Sequence, residues 1–174
     1  EKGTDRARFF RGEVDKYGWV DLGSSWLPSD LLAAYLFGQL EARDEIQARR
    51  RRVWERYRTE LSGWIEAHGV RLPVVPAHCE QPFHLFYLLL AEPATRTELI
   101  ADLKRRGILS VFHYQPLHAS AMGRKFGGRP GDCPVAEHVA ERLLRLPLHG
   151  SLTEAEQGEV VGGIRAFFEG EARA

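Results

Sequence analysis

A glycine-flanked segment near the start of the chain combines cationic and aromatic side chains. Lys16, Tyr17 and Trp19 lie close together between glycines, and Arg11 precedes them. Ammonium and guanidinium groups bind the oxygens of a diphosphate, and aromatic rings offer stacking surfaces to a nucleobase or a sugar ring. The segment is therefore a candidate nucleotide-binding site. A solvated loop with one aromatic ring folded into the core has the same composition, and this alternative stays open.

A second group of polar side chains follows a predicted strand. His113 and Tyr114 come directly after the run Ile108–Phe112, and His118 lies in the loop that continues from them. Loops at strand ends carry function more often than the scaffold does. A tyrosine hydroxyl or an imidazole can hydrogen-bond a sugar or assist a proton transfer. The alternative is a capping pair at the edge of the core.

Two further patterns are weighed and set aside. His113, His118, Cys133 and His138 include metal-ligating types, but their spacing lacks the compactness of a zinc site, so no metal site is predicted. The run Arg49–Arg52 resembles a nucleic-acid patch. On a helix, however, consecutive side chains point in different directions, and nearby acidic residues neutralise the charge. We therefore predict a solvated helix face.

The helices and strands that must position these groups are predicted from the spacing of apolar residues, which changes along the chain. Residues 14–26 are expected to form a loop with short strands, because glycines interrupt aromatic and β-branched residues. A long helical region follows over residues 29–69, with an apolar stripe at its start and a possible bend at Gly38. The run Phe83–Leu90 reads as a buried strand. The apolar stripe consists of Leu31, Leu32, Tyr35, Leu36 and Leu40.

The remaining sequence predicts a small α+β layer attached to the long helix. Capping boxes at Thr95 and Thr153, each with a glutamate three residues later, are expected to open two helices, and Gly107 is expected to close the first. Ile108–Phe112 is a second strand, residues 113–132 are a loop, and residues 134–144 are a helix. The piece around Pro147 is expected at a sheet edge. Val160, Ile164, Phe167 and Phe168 line the last helix.

Composition excludes several classes of protein. The chain has 174 residues, 44% hydrophobic content and a formal net charge of zero, so we expect a packed core and no bulk attraction to nucleic acid or a membrane surface. No apolar run reaches the length of a membrane helix, and the N-terminus has no signal-peptide pattern. The two cysteines fit a reducing compartment. The opening in charged sequence without methionine indicates a fragment.

Three motifs together carry a resemblance to a known family. They are RGEVDKYGWVDLGSSWLPSDLLAAYLFGQLEARD, GILSVFHYQPLH and ERLLRLPLHGSLTEAE, in this order. The order resembles the C-terminal half of the DegT/DnrJ/EryC1/StrS sugar-nucleotide aminotransferases. The resemblance implies a type I pyridoxal-phosphate fold, in which a large α/β domain comes first and a small domain follows. It also implies a homodimer with active sites at the subunit interface.

The resemblance further implies the chemistry of the whole protein. Pyridoxal phosphate is the cofactor, and a lysine upstream of residue 1 forms the Schiff base. None of the four lysines here lies in such a motif, so we expect no catalytic residue in this chain and no activity of the chain alone. The expected substrates are a dTDP-4-keto-6-deoxyhexose and glutamate. A 3-amino or dehydratase activity, or a non-catalytic dimerisation or ligand-binding module, are the alternatives.

The resemblance also assigns roles to individual residues. Ser25 occupies the position of an asparagine that reaches across the dimer to the cofactor phosphate in many relatives, although a turn serine is the simpler interpretation. The residues expected to contact substrate are Arg11, Lys16, Tyr17, Trp19, His113 and Tyr114.

The expected domains are an active-site arm over residues 1–28, a connecting helical region over 29–69 and a small α+β domain over 70–174. The protein is expected in the cytoplasm, where it would contribute to cell-surface polysaccharide biosynthesis. In the isolated chain, exposed Trp19, Trp26, Leu31 and Tyr35 would favour self-association.

Overall fold

The structure is a computed structural model that describes residues 8, 10–13, 22 and 28–171. The chain divides into two compact units, Glu1–Arg43 and Asp44–Ala174. The domain boundaries after residues 28 and 69 stay predictions. Across the residues that the structure describes, no helix combines the length and the apolar character needed to cross a bilayer.

The first unit contains helix α1, Asp30–Glu41. Ser29 caps its N-terminus, because the Ser29 hydroxyl oxygen accepts a hydrogen bond of 3.3 Å from the backbone N–H of Leu32. None of the residues of α1 is buried; Leu31 is 85% exposed and Tyr35 is 71% exposed. The predicted exposure of these two side chains is confirmed, while Trp19 and Trp26 lie outside the described residues. The helical region is interrupted at Ala42, whereas α1 is continuous through Gly38, where the bend stays a prediction.

Helix α2, Arg43–Leu61, has one buried face and one solvated face. The buried side chains follow helical spacing; they are Val53, Trp54, Tyr57 and Leu61. On the other face Arg49 pairs with Glu45, and Arg51 pairs with Glu55 at 2.7 Å. Such pairs join residues one helical turn apart. The prediction of a solvated helix face around Arg49–Arg52 is therefore confirmed.

Helix α3, Pro93–Arg105, follows strand β1, Phe86–Leu89. The capping box predicted at Thr95 is wrong: the helix begins two residues earlier, because a proline at the first helical position has a pre-set φ and needs no N–H partner. Gly107 closes the helix as predicted. Its φ is +78°, and the N–H of Ile108 donates a 2.9 Å hydrogen bond to the carbonyl oxygen of Leu103.

The sheet has three antiparallel strands in the order β1-β3-β2, where β2 is Val111–Phe112 and β3 is Leu143–Leu146. The predicted edge position around Pro147 is wrong, because the strand ends at Leu146 and is central. Helix α5 spans Pro134–Arg142 and is therefore two residues shorter than the helix predicted over 134–144. The predicted loop over 113–132 contains a short helix, α4, Ala121–Lys125.

The register of the sheet separates two faces. Phe86 pairs with Leu146, and Leu88 pairs with Leu144; all four side chains belong to the hydrophobic core. Since side chains alternate along a strand, the residues between them lie on the opposite face. There Arg145 of β3 is paired with Tyr87 of β1 on one side and with Val111 of β2 on the other.

Helix α6, Glu154–Glu171, completes the core. The predicted capping box is confirmed, because the backbone N–H of Thr153 donates to the Glu156 carboxylate at 2.8 Å and the N–H of Glu156 donates to the Thr153 hydroxyl at 3.2 Å. Val160, Ile164 and Phe168 are buried, and Phe167 packs partly buried against them. The prediction of a small α+β layer is confirmed by this sheet and its helices.

Candidate functional site

The predicted substrate contact Arg11 lies in the described part of the first unit. Its Nε donates to the Glu13 carboxylate at 2.6 Å, and Arg8 donates to the same carboxylate at 3.0 Å. The two guanidinium groups, Arg11 first, hold the pKa of Glu13 below its usual range. The Arg11 side chain remains 57% exposed, so its guanidinium is oriented by Glu13 and still accessible from solvent.

The other residues predicted in the N-terminal segment lie outside the described residues. They are Lys16, Tyr17, Trp19 and Ser25. Their roles therefore stay predictions.

His113 and Tyr114 lie where the sequence placed them, at the end of strand β2. Their rings contact each other edge to face, with centroids 3.8 Å apart. Tyr114 is 66% exposed, whereas His113 is half-buried. This arrangement presents the phenol hydroxyl to solvent and holds the imidazole close to the sheet.

The environment of His113 favours its neutral form. Partial burial lowers the pKa of the His113 imidazole, and the positive charges of Arg145 and His84 lower it further. A neutral imidazole has one donor and one acceptor nitrogen, so it can take a proton or a hydrogen bond from a hydroxyl. The structure therefore places a candidate acid–base group beside a cationic one.

Arg145 is the residue that the sequence analysis missed. It was missed because residues 143–144 were assigned to a helix and the strand containing Arg145 was not recognised. The available signal was a polar side chain between apolar neighbours in Leu143–Leu146, which is the period-2 pattern of a strand.

His118 has a structural partner within the loop that follows β2. Its Nε2 lies 2.7 Å from the Glu137 carboxylate, which also accepts a hydrogen bond of 2.7 Å from the N–H of Gly131. These contacts, that of His118 first, hold the pKa of Glu137 below its usual range. Glu137 thus ties helix α5 to the loop. Among the described residues, no group of three or more potential ligands is arranged to hold a metal ion.

A cleft of about 440 Å³ lies beside this loop, on the side of β2 that carries Phe112. Gln115 and Glu137 line it, and the Arg96 guanidinium lies 5.8 Å from the centroid of the Phe112 ring. A cation over an aromatic face is held by the ring quadrupole. The cleft and the face with Arg145 therefore lie on opposite sides of the strand that leads to His113.

The two lysines among the described residues do not fit the covalent role in a pyridoxal-phosphate site. Lys104 lies in the last turn of α3 and Lys125 ends α4, and both side chains are exposed on the surface. A Schiff-base lysine must be desolvated or otherwise activated to act as a nucleophile. Neither of the two described lysines is therefore an enclosed amine of that kind.

Comparison with known proteins gives consistent matches. The model of the DegT/DnrJ/EryC1/StrS aminotransferase family matches residues 2–165. The chain is 33% identical over 138 residues to the dTDP-4-dehydro-2,3,6-trideoxy-D-glucose 4-aminotransferase of Saccharopolyspora spinosa, covering 78% of this chain and 34% of that protein. It is 29% identical over 168 residues to the dTDP-3-amino-3,4,6-trideoxy-alpha-D-glucose transaminase of Micromonospora megalomicea subsp. nigra, covering 95% and 44%.

The fold is similar to solved sugar aminotransferases. The crystal structure of S. venezuelae DesV, in complex with a ketimine intermediate, matches with a TM-score of 0.81 at 28% identity, over 95% of this chain and 44% of that chain. This similarity is consistent with the predicted type I pyridoxal-phosphate fold, of which the chain holds a part with helices and a small sheet. The chain spans between 34% and 44% of the length of the three proteins compared.

Proposed function

The chain belongs to the DegT/DnrJ/EryC1/StrS aminotransferase family, and on that premise we propose that it is the C-terminal part of a pyridoxal-phosphate-dependent nucleotide-sugar aminotransferase. The proposed substrate is a dTDP-4-keto-6-deoxyhexose, the proposed amino donor is glutamate, and the proposed activity is that of a dTDP-4-amino-4,6-dideoxygalactose transaminase. The observation that carries the proposal is the match of the aminotransferase family model to residues 2–165, and the match of 95% of the chain to DesV, whose structure holds a ketimine intermediate, supports it. The similarity to a 4-aminotransferase of a dTDP sugar supports the substrate class.

In the complete enzyme, this chain and the rest of the polypeptide would have different roles. Bound pyridoxal phosphate supplies the electron sink for moving an amino group, and the amine that carries it lies in polypeptide outside these 174 residues. The chain itself binds and orients substrate. Arg11, Lys16, Tyr17 and Trp19 contact the nucleotide sugar, and Ser25 reaches the cofactor phosphate of a second subunit.

His113 and Tyr114 serve the sugar end of the substrate in this proposal. The neutral imidazole accepts a hydrogen bond or a proton from a sugar hydroxyl, and the exposed phenol donates one. Both groups lie at a strand end, where a rigid sheet fixes their position. The complete protein would act as a cytoplasmic homodimer with shared active sites and contribute to cell-surface polysaccharide biosynthesis.

Amination at C3 is a second candidate. The 29% identity to a 3-amino-forming transaminase extends over 95% of the chain, a larger share than the 78% covered by the match to the 4-aminotransferase. The two reactions require the same cofactor and differ in how the sugar ring is laid beside it.

The test is turnover by the complete protein that carries these residues. It is supplied with pyridoxal phosphate and glutamate, and with either dTDP-4-keto-6-deoxyglucose or its 3-keto isomer in separate reactions, and the products are analysed by NMR. An amino group at C4 is the expected result, and amination only of the 3-keto isomer would select the second candidate. Failure to aminate either keto sugar would contradict the proposal.

The 174-residue chain alone serves as the control in the same experiment. It is expected to give no aldimine absorbance after addition of pyridoxal phosphate, because its described lysines are exposed. A stoichiometric borohydride-trapped adduct on one lysine would show that this chain carries the Schiff-base amine itself.

A further inference from the structure

The face of the sheet opposite the core is centred on Arg145. Arg145 lies on the central strand, directly across from Tyr87 on one side and Val111 on the other. Directly paired residues of antiparallel strands have Cβ atoms about 5 Å apart, so the three side chains form one row. His113 follows Val111 by two residues, just beyond the end of β2, and the charge of Arg145 acts on its imidazole. The row therefore continues the group that the sequence predicted at the strand end.

The guanidinium of Arg145 is incompletely satisfied. Its Nε is buried and has no hydrogen-bond partner among the described residues. Burying a cation costs free energy unless an anion or a hydrogen-bond acceptor compensates for the water that it loses. The half-buried Arg145 side chain therefore has room for a hydrogen-bond acceptor at its Nε.

The charged neighbours of Arg145 are basic. The charges of Arg145 and His84 both act on His113, and both disfavour its protonated form. Arg145 therefore supplies a positive charge beside an imidazole whose neutral form is favoured, and a partly buried cation without a paired carboxylate attracts an anion. The electrostatic field at this face therefore favours a small anion.

We propose that Arg145 binds an oxyanion of the transamination substrates, with Tyr87 and His113 as adjacent hydrogen-bonding groups. This inference rests on the proposed function, which supplies two such oxyanions: the carboxylate of the amino donor and the diphosphate of the nucleotide sugar. A guanidinium offers parallel N–H donors that match either group. The position on the central strand of the sheet fixes the donor directions, so the site is pre-organised for one ligand geometry.

The experiment measures binding of unreactive ligands to the complete protein loaded with pyridoxal phosphate. The nucleotide probe is dTDP and the carboxylate probe is glutarate, each titrated by calorimetry. The variants are Arg145→Gln and Arg145→Lys. The matched control is Arg124→Gln on α4, an exposed arginine away from the row.

Arg145→Gln is expected to weaken one of the two probes by about tenfold or more, because it removes hydrogen bonds between charged groups. Arg145→Lys keeps the charge and is expected to bind that probe more tightly than Arg145→Gln does, and Arg124→Gln is expected to match the unmodified protein. Loss of dTDP binding identifies the diphosphate, and loss of glutarate binding identifies the carboxylate. Binding of both probes at the unmodified level in Arg145→Gln would overturn the inference.

Failure of this inference and failure of the proposed function give different results. If the unmodified protein aminates a nucleotide sugar while Arg145→Gln binds both probes normally, the site is wrong and the function stands. If no nucleotide sugar is aminated but one probe depends on Arg145, the anion site stands and the function is wrong. If the melting temperature shows that Arg145→Gln is unfolded, the inference is tested with Arg145→Lys instead. Weaker binding of one probe than in the unmodified protein supports the site, and unchanged binding of both probes overturns it.

Discussion

Gln157 donates a hydrogen bond of 2.7 Å from its side-chain nitrogen to the carbonyl oxygen of Val53. The bond joins helix α6 to helix α2 inside the core, and Gln157 is only 2% exposed. A buried amide of this kind is tolerated because its donor has a partner.

Replacing that amide by a carboxyl group is expected to destabilise the protein. In Gln157→Glu the ionised group has no proton to donate to the Val53 carbonyl oxygen, and burial penalises its charge. The expected loss is about 3 kcal/mol or more at neutral pH. Because burial raises the folded-state pKa of the introduced carboxyl above about 4.3, the protonated form restores a donor at low pH, and the loss grows as pH rises.

Urea unfolding of Gln157→Glu and of the unmodified chain across the acid range measures this effect. Gln157→Leu is the control, since it removes the amide without adding a charge and its deficit is expected to be independent of pH. A deficit in Gln157→Glu that is equally independent of pH would contradict the burial argument.

Two adjacent glycines of α6 are expected to respond in opposite ways to a larger side chain. A Cβ at Gly163 would lie 3.1 Å from Cδ2 of the fully buried Leu103, whereas a Cβ at Gly162 meets nothing within 4 Å. Gly163→Leu is expected to cost about 1–3 kcal/mol or more through overpacking. Gly162→Leu is expected to be neutral or stabilising by up to about 1 kcal/mol, because leucine favours a helix. Thermal unfolding of the pair tests this, and equal melting temperatures would show that α3 and α6 do not approach as closely.

The contact of Glu137 with His118 is expected to give the protein an acid-sensitive component of stability. The folded-state pKa of Glu137 lies below its usual value because of the hydrogen bonds from His118 and Gly131. A lowered pKa contributes stability above the unfolded-state value, about 4.3, and that contribution disappears as pH falls through the folded-state value. Glu137→Gln should therefore differ from the unmodified chain at neutral pH and converge with it in acid.

Chemical unfolding at neutral pH and in acid distinguishes the two conditions. Glu141→Gln on the same helix is the control, because Glu141 is exposed and its nearest cation, Arg142, lies 3.5 Å away. A difference between Glu137→Gln and the unmodified chain that persists unchanged into acid would mean that the Glu137 charge does not cause it.

Helix α1 is expected to drive self-association of the 174-residue chain. Leu31 is 85% exposed and Leu36 is 52% exposed, and apolar patches of this kind promote contact between molecules. The double substitution Leu31→Glu with Leu36→Glu is expected to shift the chain towards monomer in sedimentation equilibrium. Val74→Glu, at an exposed apolar residue outside α1 that is 84% exposed, is the matched control. A monodisperse monomer of the unmodified chain would remove the basis of this prediction.

The parts of the fold that depend on local chemistry could be predicted from the sequence. The capping box at Thr153 and the glycine cap at Gly107 were identified because each involves residues within one turn. The capping box predicted at Thr95 was wrong because another local signal, the proline at the start of α3, determines where this helix begins.

The parts that depend on distant pairing could not be predicted. Strand β3 was hidden because the alternation in Leu143–Leu146 covers only four residues and follows directly on the helical pattern of α5. Its central position comes from pairing with strands far away in the sequence. The candidate site shows the same difference between local and distant signals. His113 could be predicted because it follows a strand that the sequence indicates, whereas Arg145 belongs to a strand that the sequence does not indicate.

The strand order also has a consequence for how the polypeptide acquires its structure during synthesis. Strand β3 is the last of the three to leave the ribosome, and it lies between the two earlier ones. Within the described part of the chain, β1 is paired before that point only through the bridge between Arg71 and Leu89, so the three-stranded sheet closes late and through long-range contacts. During that interval the nascent chain exposes strand edges that β3 later covers, and such edges favour misassembly.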